Sequence, residues 1–423
     1  MHACPAVVLA LAFHVAAQVP SWTEHKVTTK PIGRQNHAMA YDSARKKCVM
    51  FGGWDGSARS NETWEWNGAA WTKVTTSTTP SGRDAMALAY DSFRKVTVMT
   101  GGYATGSETW EYNGTDWTQK SPTNTHALGA HTPMVYDSAR KVCVLHGGGQ
   151  TWEWNGVIWT KKTPANNPGN GPMAYDSLRQ VTVILAGNQT WEYDGTNWTR
   201  NITKTVPPGR GAASAMVYDS ARQVIVVFGG CGASQRDTWE YDGFDWRKIS
   251  FKGGPSEPRC YIAMAYDSQR RRTLLFGGRD QSGTTAVLQA DTWEYMGRPC
   301  YLSTDTHTVQ KAKGGTQQLF IDGGSTRANR LFWIFGSFTG TTPGIRLDGL
   351  DFPLNPDIYT DLAIVATNSS NLVNFRGVLD SSGKATARLI VPVVPSAGNL
   401  HHAALLYLGK WDCTTNPVVL MIR

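Results

Sequence analysis

The chain has 423 residues, of which 17% are charged, with 17 Trp, 43 Gly and a formal net charge of +8. That length allows more than one domain and a full core, while abundant Trp and Gly with few charges argue against a helical protein and for many short strands joined by tight turns. The positive balance does not mark a nucleic-acid binder, because several arginines recur at one repeated turn position and the one dense basic stretch, Arg270-Arg271-Arg272, is itself such a turn.

Residues 1–17 read as a signal peptide: an apolar run over residues 6–13 leads to Val15-Ala16-Ala17, with small residues where a signal peptidase cuts. The charged leader is poor, supplied only by the amino terminus and His2, and the competing reading is a buried N-terminal strand. No later stretch reaches membrane-spanning length. The expectation is an exported protein, secreted or held at the cell surface, whose partner is an extracellular glycan or protein rather than nucleic acid or a bilayer.

Residues 18–298 repeat one unit six times. Tyr-Asp-Ser-x-Arg begins at Tyr41, Tyr90, Tyr136, Tyr175, Tyr218 and Tyr266, at spacings from 39 residues (Tyr136 to Tyr175) to 49 (Tyr41 to Tyr90). A β-branched run ending in glycine follows, such as Val226-Val227-Phe228-Gly229-Gly230, and then Thr-Trp-Glu-(Trp/Tyr), with its tryptophan at Trp64, Trp110, Trp152, Trp191, Trp239 and Trp293. Five copies continue with Asn-Gly or Asp-Gly and a second tryptophan, at Trp71, Trp117, Trp159, Trp198 and Trp246.

Each unit reads as four antiparallel strands, a to d. Strand a ends at the tyrosine, Asp-Ser-x-Arg makes the a–b turn, and the Asn-Gly or Asp-Gly pair supplies the positive φ of a tight c–d hairpin. The glycines after strand b let the chain leave where a side chain would clash. Four strands per repeat at this period predict propeller blades. The double glycine (single in the fourth copy, Gly187), the Trp-x-Tyr strand and the second tryptophan resemble the kelch repeat, found also in the propeller of galactose oxidase. The sixth copy breaks off at Met296-Gly297-Arg298-Pro299, and its missing strand d lies at the other end of the chain: Ser21-Trp22-Thr23 matches Trp71-Thr72, and Trp22 precedes Arg34 by the same 12 residues that separate Trp71 from Arg83. The expected fold is therefore all-β, a six-bladed kelch-type β-propeller closed by the N-terminal strand, with no sheet edge left open.

From residue 299 to 423 the repeat vanishes. Short apolar runs such as Leu331-Phe332-Trp333-Ile334-Phe335 between Gly, Pro, Asn and Ser breaks predict a β-sandwich domain, similar to the all-β C-terminal modules of secreted bacterial repeat proteins. Of seven cysteines, Cys4 leaves with the leader, and Cys48 and Cys143 occupy one strand-b position in separate blades, as free core thiols. Cys300 with Cys413, and Cys231 with Cys260, are the candidate disulfides.

Function is expected on the face formed by the b–c and d–a connections. The b–c loops are long in the first, second, fifth and sixth copies and almost absent in the third and fourth, which predicts an asymmetric cleft. Trp54, Tyr103, Arg279 and Asp280 are the loop residues of a type that contacts sugars or peptides. Arg34, Arg83, Arg210 and Arg259 precede strand a in the same four copies. They read either as a basic ring for an acidic glycan or as braces that hydrogen-bond the carbonyls of their own long loops. The repeated Glu65, Glu111, Glu153, Glu192, Glu240 and Glu294 are structural, since an active site breaks symmetry.

No catalytic residue, metal site or cofactor is expected. The galactose oxidase site carries an adjacent Tyr-His pair, absent here, although His401-His402 lies in the following domain. Asp194-Gly195-Thr196-Asn197-Trp198 departs from the sialidase Asp box, which has a residue between Asp and Gly. The sequence therefore points to a binding protein, with a propeller-based carbohydrate-active enzyme (an oxidase or glycosidase) and a purely structural adhesion protein as alternatives.

Overall fold

The computed structural model describes residues 20–297 except 104, 233–234 and 281–286, and beyond them 301–304, 308–309, 312–323, 327, 329–337, 345–347, 350–352, 354, 368–391, 398–407, 411–414 and 418–422. Residues 1–17, which read as a signal peptide, lie outside the described residues. Among the described residues there is no α-helix, and 3-10 geometry occurs at Gly211–Ala213 and at Arg327. No helix is long and apolar enough to cross a membrane.

The repeat folds as it reads. Ala38–Asp42, Lys47–Phe51, Thr63–Trp66 and Trp71–Val74 form one antiparallel four-stranded sheet, and the next four copies each form another in the same order. Strand b is apolar without alternation, as in Val224–Gly229, because both of its faces are buried. At each a–b turn the aspartate accepts backbone N–H bonds, as Asp42 Oδ1 does from Arg45 (2.9 Å). The residue after the arginine (Lys46, Lys95, Lys141, Gln180, Gln223 or Arg271) adopts a left-handed φ of 55–60°.

The same arginine joins neighbouring sheets. Arg45 Nε donates to Asp42 (2.7 Å), its Nη1 binds Glu65 at the end of strand c, and Tyr112 of the next sheet donates to Glu65 (2.9 Å). The guanidinium packs on Gly114 of the following c–d turn, where a Cβ would fall 2.4 Å from Arg45 Nε on a backbone of φ +99°. Only glycine satisfies both demands. Glu65, Glu111, Glu153, Glu192, Glu240 and Glu294 each bind the arginine of their own repeat. These are structural side chains.

The sixth sheet borrows its outer strand from the start of the chain. Ser21–His25 runs antiparallel to Thr292–Met296, with Trp22 opposite Tyr295, and on its other side pairs in parallel with Lys252–Gly253. A circuit of identical side-chain bonds runs round the sheets. Trp22 Nε1 donates to Thr238, Trp71 to Thr292, Trp117 to Thr63, Trp159 to Thr109, Trp198 to Thr151 and Trp246 to Thr190, at 2.7–3.0 Å. Each bond crosses from one sheet to the sheet before it. The innermost strands touch in the same circular order, Ala263–Asp267 meeting both Ala38–Asp42 and Ser214–Asp219. The fold is all-β and propeller-like.

Beyond residue 300, Tyr301–Thr304, Gly315–Asp322, Lys384–Val391 and Leu372–Val373 form one sheet, and a larger sheet is built on Leu331–Ser337, Gly398–Tyr407 and Val418–Ile422. Leu302, Phe332, Ile334, Leu389 and Leu406 belong to one core that both sheets share. This part meets the repeats at their turns: Gln223 exchanges two 2.9 Å hydrogen bonds with Thr304, Arg271 pairs with Asp322 (3.0 Å), and Phe244 packs edge-on against His401. All three contacts lie at the a–b and c–d ends of the strands, and among the described residues the opposite end is open.

Candidate functional site

The b–c and d–a connections emerge together at that open end, around a central channel walled by the innermost strands. The loops differ as their lengths imply. In the third and fourth sheets strand b turns straight into strand c, with Gly147 paired to Gln150 and Ala186 to Gln189. In the first, Trp54 pairs with Gln35 on the d–a side and with Arg59 within its own loop.

The four arginines before strand a do not face this opening. Arg34 and Arg83 are 0% exposed, Arg210 and Arg259 3%. Each guanidinium holds a carboxylate two residues before the strand-c tryptophan: Arg34 with Glu62 (2.7 Å), Arg83 with Glu108 (2.7 Å), Arg210 with Asp237, and Arg259 with Asp291 (2.5 Å). Arg34 and Arg210 also donate to the carbonyls of Gly52 and Gly229, both at 2.9 Å. The basic ring is thereby corrected to a set of braces, because a buried guanidinium is tolerated only when paired. The signal was present in sequence. The two copies that lack the arginine carry Gln150 and Gln189 where the others carry the acid, and those amides accept from Trp152 and Trp191 instead.

What rims the channel is a different register, five residues before each repeat tyrosine: Asn36, Ala85, His131, Asn170, Ala213 and Tyr261. Asn36, Ala85, His131 and Tyr261 are all left-handed, with φ of 56–58°. Their backbones are linked hand to hand: Tyr261 N–H donates to Ala213 (2.7 Å), Asn36 to Tyr261 (2.9 Å), Ala85 to Asn36 (2.7 Å) and His131 to Ala85 (2.9 Å). For a bulky tyrosine this conformation is an outlier. Strain of that kind, on the order of 1–3 kcal/mol, persists where the surroundings enforce it and gathers at functional sites.

Two of these strained residues, His131 and Tyr261, join an alternating arc of cations and rings at the channel mouth. The Arg59 guanidinium lies over Trp54 (5.8 Å) and over Tyr103 (5.7 Å). Tyr103 meets His131 edge-on at 5.6 Å, His131 meets Tyr261 at 5.5 Å, and the Arg279 guanidinium lies over Tyr261 at 5.9 Å. Asp84 anchors the arc from below, accepting from Arg59 Nε (2.7 Å) and Asn36 Nδ2 (3.4 Å), while its carbonyl receives the Tyr103 N–H (3.0 Å). Burial holds the His131 pKa below the usual imidazole value, against an upward pull from Asp84. The channel beneath holds a cavity of about 160 Å³.

No protein-family model and no curated protein matches the chain. Among solved structures it is similar to an auxiliary nutrient binding protein from Bacteroides thetaiotaomicron VPI-5482, over 62% of this chain and 69% of that one, at 10% sequence identity and a TM-score of 0.43. So loose a likeness carries no argument. The site has to be read from its own geometry.

Of the loop residues singled out by type, Trp54, Tyr103 and Arg279 join the arc. Asp280 is half-buried in the short strand Arg279–Asp280, opposite Arg259. Arg59, Asp84, His131 and Tyr261 escaped the sequence reading, although the −5 register varies from copy to copy, the asymmetry expected of a site. Cys231 and Cys260 are in contact beside Tyr261 and are not joined in a disulfide. The hydrogen bond between them holds the Cys231 thiol below its ordinary value, at about 7, helped by Tyr261 and Arg279. Cys300 lies outside the described residues. Cys413 is in strand Trp411–Thr414, opposite Leu406. His401 and His402 are buried in strand Gly398–Tyr407, at the turn end far from the mouth. An oxidase site built on that pair therefore has no place on the loop face.

Proposed function

We propose that this chain is an exported, six-bladed kelch-type β-propeller (residues 18–298), closed by its N-terminal strand and followed by a β-sandwich domain (299–423), and that it binds a glycan on the loop face. The circuit of tryptophan–threonine bonds from Trp22 onward supports six equivalent blades, and the core shared by the two later sheets supports the sandwich. The observation that carries the binding role is the arc of Trp54, Arg59, Tyr103, His131, Tyr261 and Arg279. Aromatic faces offer sugar C–H groups an apolar platform, while the flanking guanidiniums, Asp84 and Asn36 supply donors and acceptors that orient a polar ligand. Tyr103 is 45% exposed.

A glycan array followed by calorimetry tests this. Tyr103→Ala and Tyr261→Asn, the latter keeping a residue that tolerates left-handed backbone, are each expected to weaken binding by tenfold or more. Val157→Ser, at the far turn end, is expected to leave it unchanged. Absence of any glycan ligand, or a protein ligand insensitive to both tyrosines, would overturn the reading.

Export also sets the state of the cysteines. In an oxidising compartment Cys231 and Cys260 are expected to give up two protons and two electrons to a disulfide-donating oxidoreductase and close a bond between the fifth and sixth blades. Cys231 should then resist iodoacetamide until a reductant is added. Labelling without reductant in protein purified from the exported fraction would remove this bond.

A further inference from the structure

We infer that the glycan is acidic and that Arg279 receives its carboxylate, an inference that rests on the loop-face binding role. Five arginines at this end of the molecule are neutralised: Arg34, Arg83, Arg210 and Arg259 by their own acids, and Arg59 by Asp84. Arg279 forms no ion pair with a carboxylate among the described residues, and its buried Nε has no hydrogen-bond partner. It is half-buried, held by backbone pairing with Cys260, with its guanidinium over the Tyr261 ring at 5.9 Å.

Of the groups beside it, burial keeps the Tyr261 phenol neutral, and the Cys231 thiol, held at about 7, loses its proton-bearing form in the disulfide expected of the exported protein. A planar guanidinium lying over a ring, half out of water and in no ion pair among the described residues, is pre-organised for bidentate capture of a planar carboxylate. Because Tyr261 lies under the guanidinium and His131 beside Tyr261, the carboxylate would sit at one end of the aromatic platform with the sugar ring lying along it. A uronic acid has this layout, a carboxylate carried directly on a pyranose. An acidic peptide shares the charge but offers no ring to stack on Tyr103.

The test uses the full-length protein with tetrasaccharides of galacturonic acid and their carboxyl-reduced, neutral counterparts. The acidic form is expected to bind roughly 10- to 100-fold more tightly, the range of one charge-assisted pair. Arg279→Gln is expected to abolish that preference by bringing the acidic form down to the affinity of the neutral one, and Arg279→Lys to restore only part of it. Equal affinity for acidic and neutral sugars, with Tyr103→Ala still weakening both, would overturn the acidic ligand and keep the glycan site. Loss of sensitivity to Tyr103 as well would overturn the site itself. An acidic peptide that binds through Arg279 while no saccharide does would replace the uronate by a protein partner and refute the inference.

Discussion

Trp22→Ala is expected to lower stability by about 4–6 kcal/mol: roughly 3–5 for emptying a buried indole site and about 1 for the lost hydrogen bond. The indole is 3% exposed, packs against Phe228 and Tyr295 at about 5 Å, and donates to Thr238 at 3.0 Å. A domain typically has only about 5–15 kcal/mol to lose. The consequence goes beyond packing, because Ser21–His25 is held to Thr292–Met296 by non-covalent pairing alone. Trp71→Ala removes an equivalent indole from a strand that its own hairpin still tethers. Urea denaturation should therefore show similar losses for the two variants. Only the Trp22 variant should also expose residues 20–26 to rapid proteolysis and aggregate along the bared edge. If Trp22→Ala costs under about 1 kcal/mol and stays protease-resistant, the N-terminal strand does not close the ring.

Arg222→Ala is expected to cost about 3–5 kcal/mol, the usual penalty for leaving buried carboxylates without their cation. Arg222 binds Asp219 (2.7 Å) and Glu240, and Tyr295 donates to the same Glu240 at 2.9 Å. Its side chain is 4% exposed, against 27% for the equivalent Arg270. Arg270→Ala should accordingly cost less, since water can reach the carboxylates that it leaves. The pH dependence separates charge from packing. Burial by itself would raise the Glu240 pKa, but Arg222, then Arg247, hold it below the usual carboxylate range, so the charged form stabilises the fold above the unfolded pKa of about 4.3. That contribution is lost as pH falls through the depressed folded value. Without Arg222 the buried carboxylate keeps only the longer Arg247 pair (3.8 Å) and is relieved by protonation, so the deficit of the variant should shrink between pH 7 and pH 4.5. A deficit that stays constant across that range would assign Arg222 a packing role only.

The recurring pattern could be read because each copy must meet the same local demands. Asp42 and its equivalents close a turn, Gly114 and its equivalents lie under an arginine, and Trp117 and its equivalents reach a threonine in the sheet before. Demands repeated in every sheet appear as period in the chain, which is why strand order and even the borrowed strand at Trp22 followed from spacing. The arginines at 34, 83, 210 and 259 were misleading for the opposite reason. Their exposure depends on whether a carboxylate, at Glu62, Glu108, Asp237 or Asp291, folds back beneath the loop.

By itself the amino-acid sequence determined the four-stranded unit, its repetition and the pairing of the chain's beginning with its last repeat, because each rests on nearest-neighbour geometry written into every copy. The tertiary structure alone decided which residues meet over the channel. Trp54, Arg59, Tyr103, His131, Tyr261 and Arg279 come from four different sheets, depart from the repeat, and touch only once the circle has closed and left-handed backbone has turned His131 and Tyr261 towards each other.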